Sequence, residues 1–108
     1  MNIGQIAKMA KQMQTQMAQV QEELRQTTLE ASAGGGAVRI VITGAQEVRS
    51  VEIDPSAVDP DEVEMLQDLV MTAINEAIGR SKELERERMS GIAGAMGLPG
   101  MPGLPGFG

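Results

Sequence analysis

The first 26 residues carry an apolar side chain at alternating intervals of three and four positions. The repeat consists of Ile3, Ile6, Ala10, Met13, Met17, Val20 and Leu24. This spacing places one apolar stripe along a helix, and such a stripe packs against another helix. Glutamine and methionine, which are good helix formers, occupy many of the other positions. We therefore predict a helix over residues 3–26, with a helical partner either within the chain or in a second copy.

Between residues 27 and 53 the apolar side chains tend to alternate with polar ones instead. Three short segments show this alternation, at residues 27–33, 37–43 and 48–53. Alternation by two is typical of strands that bury one face. Because Gly34–Gly36 and a short loop at residues 44–47 separate the segments, the strands are expected to form an antiparallel meander.

The start of a second helix is marked by residues with known capping roles. Asp59 is the predicted N-cap, Pro60 the first helical residue and Glu62 the third, in an acidic variant of the capping box. An apolar stripe with helical spacing follows, formed by Val63, Leu66, Val70, Ala73 and Ala77. We predict that this helix continues beyond Gly79 as a solvated arm to about Met89.

These elements predict an α+β fold in the order αβββα, with residues 1–90 as one domain. Residues 91–108 consist almost entirely of Gly, Pro, Met and small apolar residues, and glycine recurs at every third position from Gly97 to Gly106. The spacing resembles collagen, but a few triplets cannot hold a triple helix. We therefore predict a flexible tail over residues 91–108.

The chain lacks the side chains on which most catalytic and metal sites depend. It contains no His, Cys, Tyr or Trp, and its one aromatic residue is Phe107. The commonest general base, the thiol nucleophile, the usual transition-metal ligands and the platforms for base stacking are therefore missing. The carboxylates between residues 54 and 64 match no calcium loop, and Gly34–Gly36 precedes a strand, whereas a phosphate-binding loop precedes a helix. We expect no enzyme activity, no cofactor, no metal site and no small-molecule substrate.

Charge is distributed unevenly along the chain. The net charge is -6, yet residues 51–78 contain eight acidic residues and no basic one. Six basic residues on the two helices are candidates for contacts with phosphate groups: Lys8, Lys11, Arg80, Lys82, Arg86 and Arg88. The alternative interpretation is an ordinary solvated helix face, on which Glu83, Glu85 and Glu87 balance the basic residues.

Taken in order, these segments resemble the YbaB/EbfC family of bacterial nucleoid-associated proteins. The resemblance begins with Met-Ala-Lys-Gln-Met-Gln at residues 9–14 and continues through Glu22–Leu24 and the turn at Gly34–Gly36. Its most recognisable part is Val-Glu-Ile-Asp-Pro-Ser at residues 51–56, and the sequences of residues 64–70 and 73–77 are similar to the family's second helix. The resemblance covers residues 1–90.

The resemblance implies a tweezer-like homodimer in which the sheets help to form a joined body and the helices project as arms. It also implies binding of double-stranded DNA with a change in DNA conformation, an influence on gene expression, and a location in the cytoplasm and nucleoid. It transfers no catalytic residue. Self-association has a separate basis in the sequence, because one heptad stripe and a three-stranded sheet leave more apolar surface than a small single unit can cover.

The charge pattern suggests how such arms would contact DNA. Their free ends, near Lys8 and Arg86, are expected to lie away from the acidic block and to contact phosphates, while the acidic block keeps the body off DNA. The alternative function is a non-catalytic protein–protein adaptor that uses the heptad face or the C-terminal tail. No run of residues approaches the roughly 18 apolar positions that a membrane span requires, so we expect no membrane partner and a cytoplasmic location.

Overall fold

The computed structural model describes residues 2–95, which form two helices and a three-stranded antiparallel sheet. The elements are α1 (Ile3–Gln26), β1 (Thr28–Ala33), β2 (Val38–Thr43), β3 (Val48–Ile53), a short 3-10 helix (Pro55–Ala57) and α2 (Val63–Ala95). The strands lie in the order β1-β2-β3, so the α+β class and the meander are confirmed. None of the helices in this part of the chain is long and apolar enough to cross a membrane.

Helix α1 begins and ends at defined caps, and both of its predicted bounds are correct. The side chain of Asn2 accepts a hydrogen bond from the backbone N–H of Gln5 at 2.7 Å, which satisfies one of the free donors of the first turn. At the other end Thr27 is extended, and its N–H donates to the carbonyl oxygen of Glu23 at 2.9 Å. The chain therefore turns directly from α1 into β1.

The core lies between one face of the sheet and α2. Val38, Ile40 and Ile42 of β2 are fully buried. On α2, Ala73 is also fully buried and Ala77 is 1% exposed. Small residues on the helix allow it to lie close to the large side chains of the central strand. Helix α2 packs mainly across β1 and β2, so β3 is left largely uncovered.

The turn between β1 and β2 requires glycine. Gly34, Gly35 and Gly36 all have positive φ angles, of 65°, 66° and 97°, a region that other residues rarely adopt. A Cβ on Gly34 would also lie 2.9 Å from Cδ2 of Leu69 on α2. The glycines thus form a strand-to-strand turn and let α2 approach it closely.

Helix α2 differs from its prediction at both ends. The helix begins at Val63 rather than at Pro60, because Asp59 caps a separate turn. The carboxylate of Asp59 accepts a hydrogen bond from the N–H of Asp61 at 2.9 Å, and its carbonyl oxygen accepts one from the N–H of Glu62 at 2.8 Å. The helix also extends six residues beyond Met89 to Ala95, where Ile92 is only 8% exposed. The predicted tail boundary at residue 91 is therefore wrong for residues 91–95, and residues 96–108 of that tail lie outside the described residues.

The described chain is elongated, with principal extents of 69, 27 and 16 Å. Its radius of gyration is 19.3 Å, compared with about 13 Å for a compact domain of similar length. Both helices contribute to this shape, since α2 has 33 residues and α1 has Leu24 as its one fully buried residue. The N-terminal half of α1 thus projects as an arm, and its apolar stripe is open, with Ile3 84% and Ile6 52% exposed.

Candidate nucleic-acid interface

The basic side chains of α1 share one exposed face. Lys8 and Lys11 line a shallow groove together with Gln12, Thr15 and Gln16. On a helical projection these positions lie mainly opposite the stripe of Ile3, Ile6 and Ala10. Helix α1 can therefore pack through its stripe while its lysines and glutamines remain free for a polyanion. Neither lysine forms an ion pair with any residue of the described chain.

The basic side chains of α2 are mostly paired with carboxylates. Arg80 contacts Glu76 at 3.2 Å and also donates to the carbonyl oxygen of Glu30 on β1 at 2.9 Å. Arg86 pairs with Glu83 one turn earlier. Within residues 2–95, Lys82 is the one candidate cation of α2 that has no ion pair. Of the glutamates expected to balance this segment, Glu83 pairs with Arg86, and contact of the segment with DNA stays a prediction.

Arg88 links the two helices. Its guanidinium lies 3.6 Å from the carboxylate of Glu23 on α1, so this part of α2 runs beside the base of the α1 arm. Lys11 and Lys8 lie twelve and fifteen residues from Glu23 along α1, or about 18 and 22 Å at the helical rise. The structure therefore does not bring the six candidate residues into one patch. It separates a free lysine face on α1 from a mixed-charge segment on α2.

Negative charge is concentrated on the body and at the base of α1, and hydrogen bonds stabilise the ionised form of two of these carboxylates. Asp54, at the end of β3, accepts hydrogen bonds from the N–H and then the hydroxyl of Ser56, and these lower the pKa of its carboxyl group. On α1, hydrogen bonds from Arg25 and then from Gln26 lower the pKa of Glu22. Both groups remain ionised at neutral pH. Within the described residues no group of three or more acidic residues is arranged to hold a metal ion.

The body also has an uncovered apolar surface, which we call the trough. Its floor is the helix-facing side of β3, where Val51 lies opposite the buried Ile40, and Ile53 opposite Val38. Val51 is 50% exposed. Its wall is an open groove on α2 that is lined by Val63, Leu66, Val70, Met71 and Ile74 together with Gln67 and Asn75, and Leu66, Val70 and Ile74 also pack against the core. The sequence indicated the apolar side of β3, but not that α2 would leave it open.

A second feature that the sequence did not reveal is the loop between β2 and β3. Gly44 and Gln46 of this loop are hydrogen-bonded to both helices, and the α2 partner is the buried hydroxyl of Ser81. A single serine in a helix carries no recognisable signal, and Gln46 is an unusual residue for a positive φ angle, which is 62° here.

A narrow sheet with two helices extending from it, free cations on one arm and acidic charge on the body define a binding protein of the polyanion-contacting class. The family comparison is more specific. Residues 1–96 match the model of the YbaB/EbfC DNA-binding family, and the chain belongs to that family. The family is defined by DNA binding rather than by a catalysed reaction.

Similar proteins support this assignment over most of the chain. A nucleoid-associated protein of Acetivibrio thermocellus is 50% identical over 93 residues, which cover 86% of this chain and 82% of that protein. One from Chloroflexus aurantiacus is 51% identical over 94 residues (87% and 94%), and one from Moorella thermoacetica is 52% identical over 97 residues (87% and 93%). In structure, the chain resembles the uncharacterized protein HP0035 of Helicobacter pylori, with a TM-score of 0.74, 24% identity, and coverage of 81% and 91%; this likeness supports the fold.

Proposed function

We propose that this chain is a non-catalytic nucleoid-associated protein of the cytoplasm that binds double-stranded DNA as a homodimer and alters its conformation, with effects on gene expression. The contacts are assigned to the basic residues of the two helical segments: Lys8, Lys11, Arg80, Lys82, Arg86 and Arg88. The observation that carries the proposal is the free lysine face of the α1 arm, which is separated from the acidic body. Double strands are favoured because the described chain contains no aromatic platform for stacking single-stranded bases.

The homodimer is proposed to form through the trough. Val51 and Met71 are 50% and 57% exposed, Val51 lies opposite the buried Ile40, and β3 is an edge strand with unpaired backbone groups. If a second copy of the chain were related to the first by a two-fold axis, its trough would cover these exposed apolar side chains and the edge of β3. The α1 arms would then point away from the joined body, with one lysine face on each arm.

Charge reversal on the arms tests the DNA contacts. We expect that changing Lys8, Lys11, Arg86 and Arg88 together to Glu abolishes retardation of duplex DNA, while sedimentation still shows a dimer. The control is reversal of Arg25 and Arg49, two basic residues that are paired with Glu22 and Glu47 near the body; it reverses two charges per chain where the arm variant reverses four. Unchanged retardation of the arm variant at the same salt concentration would refute the assignment.

Salt dependence distinguishes this function from that of an adaptor. A phosphate-contacting protein retards duplexes of unrelated sequence at low salt and loses them as salt rises. A protein–protein adaptor would give no shift at either salt concentration, and that result would refute DNA binding by this chain.

A substitution on β3 tests the dimer. Val51→Lys places a charge in the trough, where the half-exposed site tolerates it in the monomer but not in an apolar interface. Ser50→Lys is the matched control, because its neighbour in the register is Val41, on the other face of the sheet. We expect the Val51 variant to sediment as a folded monomer and the Ser50 variant as a dimer. Dimers in both would exclude the trough as the interface.

A further inference from the structure

We infer that the β2–β3 loop is a joint that sets the directions of both helical arms, with Ser81 as the positioning residue for α2 and Gly44 for α1. The inference rests on the proposed function in one respect, that the arms contact DNA. The joint comprises Gly44, Gln46 and the loop's two attachment points, Leu24 on α1 and Ser81 on α2.

The attachment to α2 is a saturated hydrogen-bond centre. The hydroxyl of Ser81 donates to the carbonyl oxygen of Thr43 at 2.7 Å and accepts from the side-chain amide of Gln46 at 2.8 Å and from its backbone N–H at 3.1 Å. These bonds use the hydroxyl's one donor and both of its acceptor positions. Ser81 is fully buried, so these bonds are not exposed to competition from water. Beyond it, α2 continues for fourteen residues to Ala95.

The attachment to α1 is a close backbone contact. The N–H of Gly44 donates to the carbonyl oxygens of Leu24 and Thr27, at 2.9 and 3.0 Å. A Cβ on Gly44 would lie 2.8 Å from Cδ2 of Leu24 and 3.1 Å from its carbonyl oxygen, distances that force one partner to move. Leu24 is also the one buried residue of α1. The same short loop therefore holds the base of one arm and the point at which the other leaves the sheet.

The length of the arms amplifies small changes at this joint. Lys8 is sixteen residues from Leu24, or about 24 Å along the helix. A tilt of about 10° at the joint would displace Lys8 by about 4 Å, which exceeds the spacing of about 3.4 Å between successive phosphates along one DNA strand measured on the helix axis. A loosened joint would therefore change the shape imposed on DNA more than the electrostatic attraction to it.

When the Ser81 hydroxyl is removed, each group that was hydrogen-bonded to it keeps another hydrogen-bond partner. The backbone N–H of Gln46 also donates to Thr43 at 3.2 Å, and its side-chain amide donates to Gly44 at 3.0 Å. Folding should therefore tolerate Ser81→Ala, while the bond between loop and helix is lost. The variant therefore distinguishes two roles of Ser81. A purely structural role would appear mainly as reduced stability, whereas a positioning role would change the direction of α2 in a protein that still folds.

Spin-label distances test the joint directly in the full-length protein. Because the chain has no cysteine, labels can be placed at Ser50→Cys on the sheet with either Gln12→Cys on α1 or Glu87→Cys on α2. Dilution with unlabelled protein isolates distances within one chain. We expect Ser81→Ala to broaden the distribution for α2, Gly44→Ala to shift that for α1, and Ser90→Ala, a serine on the same helix, to change neither. Unchanged distributions in both joint variants would overturn the inference.

A second measurement relates the joint to DNA shape. Energy transfer between dyes at the two ends of a duplex should lose the protein-induced change with Ser81→Ala, while retardation at low salt persists. Gln46→Gly serves if Ser81→Ala fails to fold, because it removes one of the three bonds between the loop and Ser81 and suits the positive φ angle. Its α2 distribution should broaden less than that of Ser81→Ala, and a stable Gln46 variant with an unaltered α2 distribution would also overturn the inference. The label distances need no DNA, so their outcome is independent of the arm-reversal test of the proposed function.

Discussion

The number of phosphates that the protein contacts can be derived from its ion pairs and tested by salt titration. Three of the six candidate residues, Lys8, Lys11 and Lys82, have no ion pair within the described chain, whereas the three arginines each have a carboxylate partner. An arginine that leaves its ion pair to contact a phosphate also leaves an unpaired carboxylate close to the DNA. Repulsion between that carboxylate and the phosphates offsets the free energy gained from the contact. We therefore expect the arginine contacts of the proposed interface to add little to the net release of counterions, so that the salt slope of the proposed dimer reports six effective contacts, all from lysines.

This count fixes the slope of binding against salt. Each contact contributes about -0.9 to the slope of log K against log salt concentration, so six contacts predict a slope of about -5 and twelve about -11. Replacing Lys8 and Lys11 with Gln removes four contacts per dimer and should reduce the slope to about -2. Between 50 and 200 mM salt the wild type should lose about a thousandfold in affinity and the variant about tenfold.

The assay is a titration of a fluorescent duplex by anisotropy at four salt concentrations, repeated with a duplex of unrelated sequence. Arg86→Gln with Arg88→Gln is the matched control, since it also removes two positive charges per chain, but from residues paired with Glu83 and Glu23. Its slope should stay near that of the wild type. If the arginine variant changed the slope and the lysine variant did not, the assignment of the contacts to free lysines would be refuted.

Three further predictions concern the fold that supports the arms. Ile40→Ala, at a fully buried site in the central strand, should lower the free energy of unfolding by about 2–5 kcal/mol; a loss below 1 kcal/mol in urea would contradict the proposed core. Gly34→Ala should cost about 1–3 kcal/mol from its positive φ angle and the contact with Leu69, whereas Gly79→Ala, where a Cβ meets nothing, should be neutral or stabilising in the same assay. The lowered pKa of Glu22 contributes stability that is fully present near neutral pH and is lost as the pH falls below about 4; unfolding curves of Glu22→Gln should show less acid destabilisation than wild type, and equal loss in both would contradict this.

The elements that depend on local pattern were predictable from the sequence, including the full extents of α1 and β3. Periodicity fixes which residues face the core, and Val38, Ile40 and Ile42 lie there as the alternation predicted. The start of α2 was misplaced because an aspartate followed by proline suits both a helix cap and a preceding turn, and here the Asp59 carboxylate bonds to the N–H of Asp61, two residues on. Its end was misplaced because residues 91–95 were grouped by composition with the Gly/Pro/Met-rich tail, whereas the helix continues through Gly91 and buries Ile92 one residue later.

The features that depend on distant contacts could not be read from the sequence. The pairing of Arg88 with Glu23 joins residues that are 65 positions apart, and the bond between Gln46 and Ser81 spans 35. Neither residue type indicates its partner. The sequence therefore suggested that the two helices are basic arms, but it could not show that the α2 cations are largely neutralised and that the α1 lysines are not.

The separation of charges assigns different tasks to the two ends of the molecule. The body carries the acidic residues of segment 51–78 together with the apolar trough, so we assign it to self-association and not to DNA contact. The outer face of α1 carries Lys8 and Lys11, and its first acidic residue is Glu22. Because screening limits the effect of a charge to about 10 Å at moderate salt, the proposed contacts of lysines about 18–22 Å along the helix from the acidic base are largely independent of the net charge of -6. The proposed function therefore requires no net positive charge, and on the inferred role of the joint the direction of the arm, rather than the total charge, decides which phosphates it reaches.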